Sequence, residues 1–236
     1  MIARLLVPAA VIAASAADAA GGTEYPDIPE PMVFDMVRPL GARRGELETN
    51  VLALSPLSGQ ERTIEWAPEI EYAVADGFAI EFELPFEGSR LAEFKVGAQA
   101  TLGTLDGGRI AHGFQYLGIY ERESDTTSHA LLYMIGRRHS ARWSTMSMIG
   151  VGDVRVGQSE STAGLLINHS TFYDIGRSRV GLELNYKTGH DGGILTMAQY
   201  HAPLSQKISV QLGIGIDKQR GETTRPVAGA RIVKEF

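Results

Sequence analysis

The sequence contains no cysteine. That excludes disulfide frameworks, thiolate metal sites and cysteine nucleophiles. It also lacks a basic excess: 22 Lys and Arg stand against 28 Asp and Glu, for a net charge of −6. With no Lys/Arg cluster to form a phosphate-binding face, nucleic acid is not an expected partner. The six histidines (His112, His129, His139, His169, His190 and His201) show neither His-x-His nor His-x-x-x-His spacing. There is no Gly-rich phosphate loop opening a helix and no nucleophile elbow, so neither a cofactor nor a metal site is expected. Beyond the N-terminal segment no run of eighteen or more apolar residues occurs, which excludes a transmembrane helix.

What is present begins with an export signal. Residues 1–19 combine basic Arg4, an apolar stretch from Leu5 to Ala14, and small residues with an Ala-x-Ala site at Ala17-Asp18-Ala19. Their removal takes away one positive and one negative charge, Arg4 and Asp18, so the net charge stays −6. Residues 20–44 follow as an extended Pro-rich leader with Pro26, Pro29, Pro31 and Pro39, ending at Gly41-Ala42-Arg43-Arg44-Gly45. An exported chain without a spanning helix is either soluble in the periplasm or crosses a membrane as strands.

From Glu46 onward period-two alternation dominates. Ile64, Trp66, Ile70, Tyr72 and Val74 share one face against Glu65, Glu69 and Glu71. After the turn signal Ala75-Asp76-Gly77, Phe78, Ile80, Phe82 and Leu84 oppose Glu81 and Glu83. Val180, Leu182, Leu184 and Tyr186 oppose Arg179, Glu183, Asn185 and Lys187, and Ile208 to Ile216 repeat the pattern. About twelve strands are predicted, near 46–55, 62–74, 77–85, 91–103, 109–122, 128–139, 142–152, 160–173, 179–188, 192–202, 206–218 and 225–236. Most reach the length a tilted strand needs to cross a bilayer, longer than the strands of soluble sandwiches. Aromatics near the strand ends, among them Trp66, Tyr72, Phe94, Tyr120, Trp143 and Tyr173, suit interfacial girdles. The chain ends on Phe236. The expected fold is all-β, an antiparallel up-and-down transmembrane β-barrel over residues 45–236. Its expected location is the outer membrane, with lipid as one partner and the barrel assembly machinery, reading Phe236, as another.

The stretch from Glu65 to Gly77, continuing through Glu81-Phe82-Glu83-Leu84-Pro85, resembles the E…EY…(D)G…E…LP hairpin of the meta-pathway of phenol degradation family. That family's proteins are transporter-like outer-membrane β-barrels. The resemblance covers one hairpin closely and the remaining strand rhythm loosely. It implies passage of a small aromatic or hydrophobic solute. One departure is Lys234, at a position near the end where such barrels prefer an apolar or aromatic residue.

If the apolar faces meet lipid, the lumen is lined by Glu65, Glu69, Glu71, Glu81, Glu83, Glu93, Lys95, Arg179, Glu183, Lys187 and Arg231. A twelve-strand bore is narrow. Crowded carboxylates need partners, so salt bridges across it are expected. An acid-lined wall favours cationic or neutral solutes over anions. The leading expectation is a narrow channel or transporter for a small solute. A non-transporting structural barrel sealed by charges and by the leader is the alternative. A lipid-modifying enzyme using Asn168-His169-Ser170 is disfavoured, because adjacent strand residues point to opposite faces. No catalytic residue is therefore assigned.

Overall fold

A computed structural model describes residues 25–34, 36–59, 62–156, 163–189 and 192–236. The expected signal peptide, residues 1–19, and the first residues of the leader lie outside this set.

The alternating segments form strands, and the strands close. In chain order they are β1 (Leu47–Pro56), β2 (Glu65–Ala75), β3 (Phe78–Glu83, continued by Phe86–Glu87) and β4 (Arg90–Leu91, continued by Glu93–Leu105). There follow β5 (Ile110–Glu121), β6 (Thr126–Arg138), β7 (Trp143–Val154) and β8 (Gly164–Ile175). The last four are β9 (Ser178–Lys187), β10 (Gly193–Pro203), β11 (Ile208–Gln219) and β12 (Arg225–Glu235). Each pairs antiparallel with its sequence neighbour, and β1 also pairs with β12 from Glu48↔Glu235 to Pro56↔Val227. No edge is left open, which satisfies every ladder hydrogen bond without water. The result is a closed twelve-strand antiparallel barrel.

The turns at the end shared by both termini are two to four residues long, whereas eight residues join β1 to β2 and nine join β7 to β8 at the other end. Short turns on the terminal side and longer loops opposite are the pattern of outer-membrane barrels, whose termini face the periplasm.

The two faces differ as the period requires. Large apolar side chains stand exposed on the outside, including Ile70, Val96, Leu131, Leu182, Leu212 and Ile214. An apolar belt of this extent is not stable against water and matches a hydrocarbon solvent. Two aromatic rows flank it. Tyr72, Phe78, Trp143, Tyr173 and Tyr200 lie toward the terminal end of their strands, and Trp66, Phe94, Tyr120 and Tyr186 toward the loop end. Polar groups on the outside pair with one another: Tyr116 with His129 at 2.8 Å, Tyr133 with His112 at 3.0 Å, and the Trp143 Nε1 donates to Thr171 at 2.9 Å.

The lipid-facing assignment predicts a depth-dependent penalty. Leu182→Arg, at the middle of β9, is expected to cost about 2–4 kcal/mol of barrel stability, and Ile175→Arg, at a strand end, about 0–1 kcal/mol. Urea unfolding in lipid vesicles measures both. Equal costs would contradict the placement of the belt.

Candidate functional site

The interior is occupied by the chain's own leader. At the terminal mouth the Asp27 carboxylate lies 2.5 Å from Arg179 and 3.8 Å from Arg138. From there the leader dips into the barrel, and Met32, Met36 and Val37 are wholly buried. It then returns toward the same mouth, where Gly41 donates to Thr101 Oγ1 at 2.9 Å and Gly45 to the Ala73 carbonyl at 2.8 Å, and enters β1.

A segment without helix or ladder must find other acceptors for its buried N–H groups. The inner wall supplies them. The Glu183 carboxylate accepts from Met32, Val33 and Phe34 in succession, at 3.0, 3.1 and 2.6 Å. Gln115 accepts from Val37 at 3.2 Å. Gln99 both accepts from the Arg38 N–H at 3.4 Å and donates to its carbonyl at 2.6 Å. Steric room comes from glycines: a Cβ on Gly213 or Gly229 would stand 2.6 Å from the Met32 methyl, and one on Gly97 the same distance from Val37 Cγ2. The wall is notched where the leader's side chains sit.

The wall has two chemically distinct sectors. Strands β1 to β3 carry Glu48, Glu69, Glu71, Glu81 and Glu83, all with side chains at most 10% exposed. Two wall cations face them. Arg231 reaches Glu69 at 2.8 Å, Glu71 at 3.4 Å and the leader's Glu30 at 3.4 Å. Lys95 bonds Glu83 and stands 4.0 Å from Glu81. The leader adds Arg38, which holds Glu48 at 2.5 Å, Glu46 at 3.2 Å and Glu71 at 3.6 Å. Ligand oxygens of Glu69, Glu81 and Glu83 lie within 4.8 Å of one another, a spacing that could hold a hard cation and that strand periodicity alone did not disclose.

The opposite sector is apolar. Leu132, Met134, Met146, Met148 and Phe172 form one buried cluster with the leader's Ile28, Met36 and Leu40. None of the charged residues expected to line the lumen belongs to this cluster. Inward positions on β6 and β7 alternate with moderately apolar outward ones, so the sequence gives little contrast between the faces.

Of the residues expected to line the lumen, Glu69, Glu71, Glu81, Glu83, Lys95 and Arg231 are brought together in the acid sector. Glu183 stands apart as the leader's anchor, joined by Asn185 at 2.8 Å and by Gln199. Glu65 and Glu93 lie toward the loop end beside a cavity of about 240 Å³ that Trp66, Phe86 and Leu52 also line. Lys187 pairs with Asp153 at 2.6 Å near the loops. Arg179 bonds Asp174 and Asp27 at the terminal mouth, beside a larger cavity of about 730 Å³. Within Asn168-His169-Ser170, Asn168 and Ser170 are buried while His169 is exposed outside, where its Nδ1 lies 2.8 Å from Ser147 Oγ.

A family profile, HAEPLYID-like, matches residues 27–150, more than half of the chain. The chain belongs to the HAEPLYID-like family. The matched region starts at Asp27 and so takes in the plugging leader together with β1 to β6 and most of β7. Among solved structures, an outer membrane channel from Pseudomonas putida F1 superposes with a TM-score of 0.66 at 12% identity, over 86% of this chain and 100% of that one. The NanC porin gives 0.64 at 8% identity, over 80% and 100%, and the KdgM porin 0.61 at 12%, over 78% and 97%. No curated protein matches at a significant level. At these identities the likeness is one of fold, that of outer-membrane porins and channels. With the apolar belt, it makes the chain an outer-membrane β-barrel. The hairpin resemblance is met at this coarser level; the phenol-degradation family is not the one whose profile matches.

Glu183 is the test of how the leader is held. Glu183→Ala leaves the N–H groups of Met32, which is buried, and of Val33 and Phe34, which are half-buried, without their charged acceptor, the buried one at a cost on the order of 1–3 kcal/mol. The expected outcome is cleavage within residues 28–40 by added protease at least about tenfold faster than in the parent protein, with β-barrel mobility on unheated gels retained. Unchanged cleavage would mean that the apolar packing alone fixes the leader.

Proposed function

We propose that the protein is a channel for a small solute across the outer membrane, closed at rest by its own leader. The observation that carries this reading is that the leader, and not wall side chains, fills the bore. Barrels of eight strands close with wall side chains, and sixteen-strand barrels leave an aqueous channel. Here the seal is a separable segment, attached by hydrogen bonds, ion pairs and methionine packing. The lumen-lining role belongs to the acid sector, and the acid excess there favours cations over anions in transit. Lipid contacts the outer belt. Phe236, exposed at the end of β12, is the residue the assembly machinery reads.

The structural reading, a barrel that never opens, draws on the glycine notches, which treat the leader as part of a packed core. Conductance separates the two. In planar bilayers the parent protein is expected to show small, infrequent openings. Glu183→Ala and Arg38→Ala are expected to raise open probability several-fold, with cation over anion selectivity. Folded variants that stay as electrically silent as the parent would reject the channel and leave the sealed barrel.

A further inference from the structure

The leader shows what chemistry the lumen accepts. Into the acid sector it places one guanidinium, Arg38, and against the methionine sector it lays Ile28, Met36 and Leu40. A single short segment thus presents a nitrogen cation on one side and an apolar body on the other. We propose that the solute is an amphipathic organic cation, an amidinium, guanidinium or ammonium on an apolar frame, which competes with the leader for these two sectors. This rests on the channel reading and supplies its substrate class.

Three further observations support it. First, the wall's own acids and bases do not match in number: five buried carboxyl groups face two bases, Lys95 and Arg231. Among the described leader residues, Glu30 and Arg38 add one acid and one base to this sector. Second, the buried polar atoms that find no hydrogen-bond partner are mostly acceptors. Both oxygens of Glu81, Glu71 Oε2, Glu30 Oε1, Asn50 Oδ1 and Gln211 Oε1 receive no hydrogen bond from the described residues, against the single donor Arg38 Nε in this sector. Glu81, whose side chain is fully buried, has one oxygen within 4.8 Å of oxygens of Glu69 and Glu83, and neither of its oxygens is hydrogen-bonded, although Lys95 Nζ stands 4.0 Å from Oε1. A buried acceptor without a donor is costly, and a ligand rich in N–H groups removes that cost. Third, the facing apolar wall carries three methionines, Met134, Met146 and Met148. Methionine adapts to differently shaped apolar surfaces and makes favourable contacts with aromatic rings.

A metal ion alone would use the carboxylates and leave the methionine wall without purpose. An anion would meet the excess charge. A neutral aromatic would leave the orphaned acceptors as they are. Only a cation carrying an apolar body answers all three.

The probe is benzamidine, compared with benzoate and benzyl alcohol, which keep the ring and change the charge, and with Ca²⁺, which keeps the charge and removes the ring. Binding to the full chain in lipid nanodiscs is measured by calorimetry. Benzamidine is expected to bind, benzyl alcohol and benzoate at least about tenfold more weakly. Glu81→Gln is the informative substitution, since its oxygens make no hydrogen bond that the change would break; it is expected to weaken benzamidine at least about tenfold while the barrel keeps its folded gel mobility. Because the chain has no cysteine, Met36→Cys offers a unique reporter, and benzamidine is expected to accelerate its labelling by a water-soluble maleimide. Benzoate binding as tightly as benzamidine, benzamidine indifferent to Glu81→Gln, or Ca²⁺ binding where benzamidine does not, would each overturn the proposal. Conducting Glu183→Ala channels with no benzamidine binding would discard the solute class and keep the channel. Benzamidine binding to a barrel that never conducts would discard the channel and keep the site.

Discussion

The backbone of the leader meets the barrel wall chiefly at one carboxylate. Glu183 collects three consecutive N–H groups from Met32 to Phe34, much as an anion is collected at the start of a helix, but with the roles of wall and segment exchanged. A segment at membrane depth has no water to turn to, so its polar groups must be met by protein. That single requirement fixes where the leader turns. The turn in its course seats Met32 between Gly213 and Gly229, sets Arg38 among the carboxylates of β1 and β2, and leaves Met36 and Leu40 on the methionine wall. The closed bore follows from these placements together.

Much of the outer architecture was legible in the sequence, because one physical rule governs it. A strand whose alternate residues meet hydrocarbon must alternate sharply, as β2, β3, β9 and β11 do, and Ile208 to Ile216 could be read directly. The strand ends were legible for the same reason, since Asp76-Gly77 and Gly176 carry the turn, the two glycines at positive φ. The break between Phe78–Glu83 and Phe86–Glu87 was not, although Pro85 within the run marks it: proline cannot donate to the ladder.

The interior was legible only in half. The acid sector stands out because glutamates recur at every second position of two adjacent strands, and hairpin register then forces Glu69 opposite Glu83 and Glu71 opposite Glu81. The partner Arg231 comes from β12, which meets β1 and not β2, so its approach to Glu69 depends on barrel closure and on curvature that no local pattern encodes. The methionine sector was hidden for another reason. Met134, Met146 and Met148 face the lumen, yet the alternation rule assigns apolar residues to lipid; it fails wherever the lumen itself is filled by an apolar segment. A Pro-rich leader preceding a barrel was the available sign that this could occur.

The charges of the leader have a consequence for how it can leave. Among its described residues it brings two carboxylates, Asp27 against Arg179 and Arg138 and Glu30 against Arg231, and one guanidinium, Arg38, against Glu48 and Glu71. Withdrawal therefore separates groups of both signs from wall partners of opposite sign. A leader carrying Arg38 alone would be bound by the whole field of the acid wall, and one carrying Glu30 alone would be expelled by it. With both signs present, attraction and repulsion from the wall oppose each other, and the contacts that seat the segment are short-range: a few charge-assisted hydrogen bonds and the packing of flexible thioethers. Contacts of that kind fall away within a few ångströms. A plug so held is firm while seated and cheap to move once started, which is the balance required of a seal that belongs to the same chain as the pore.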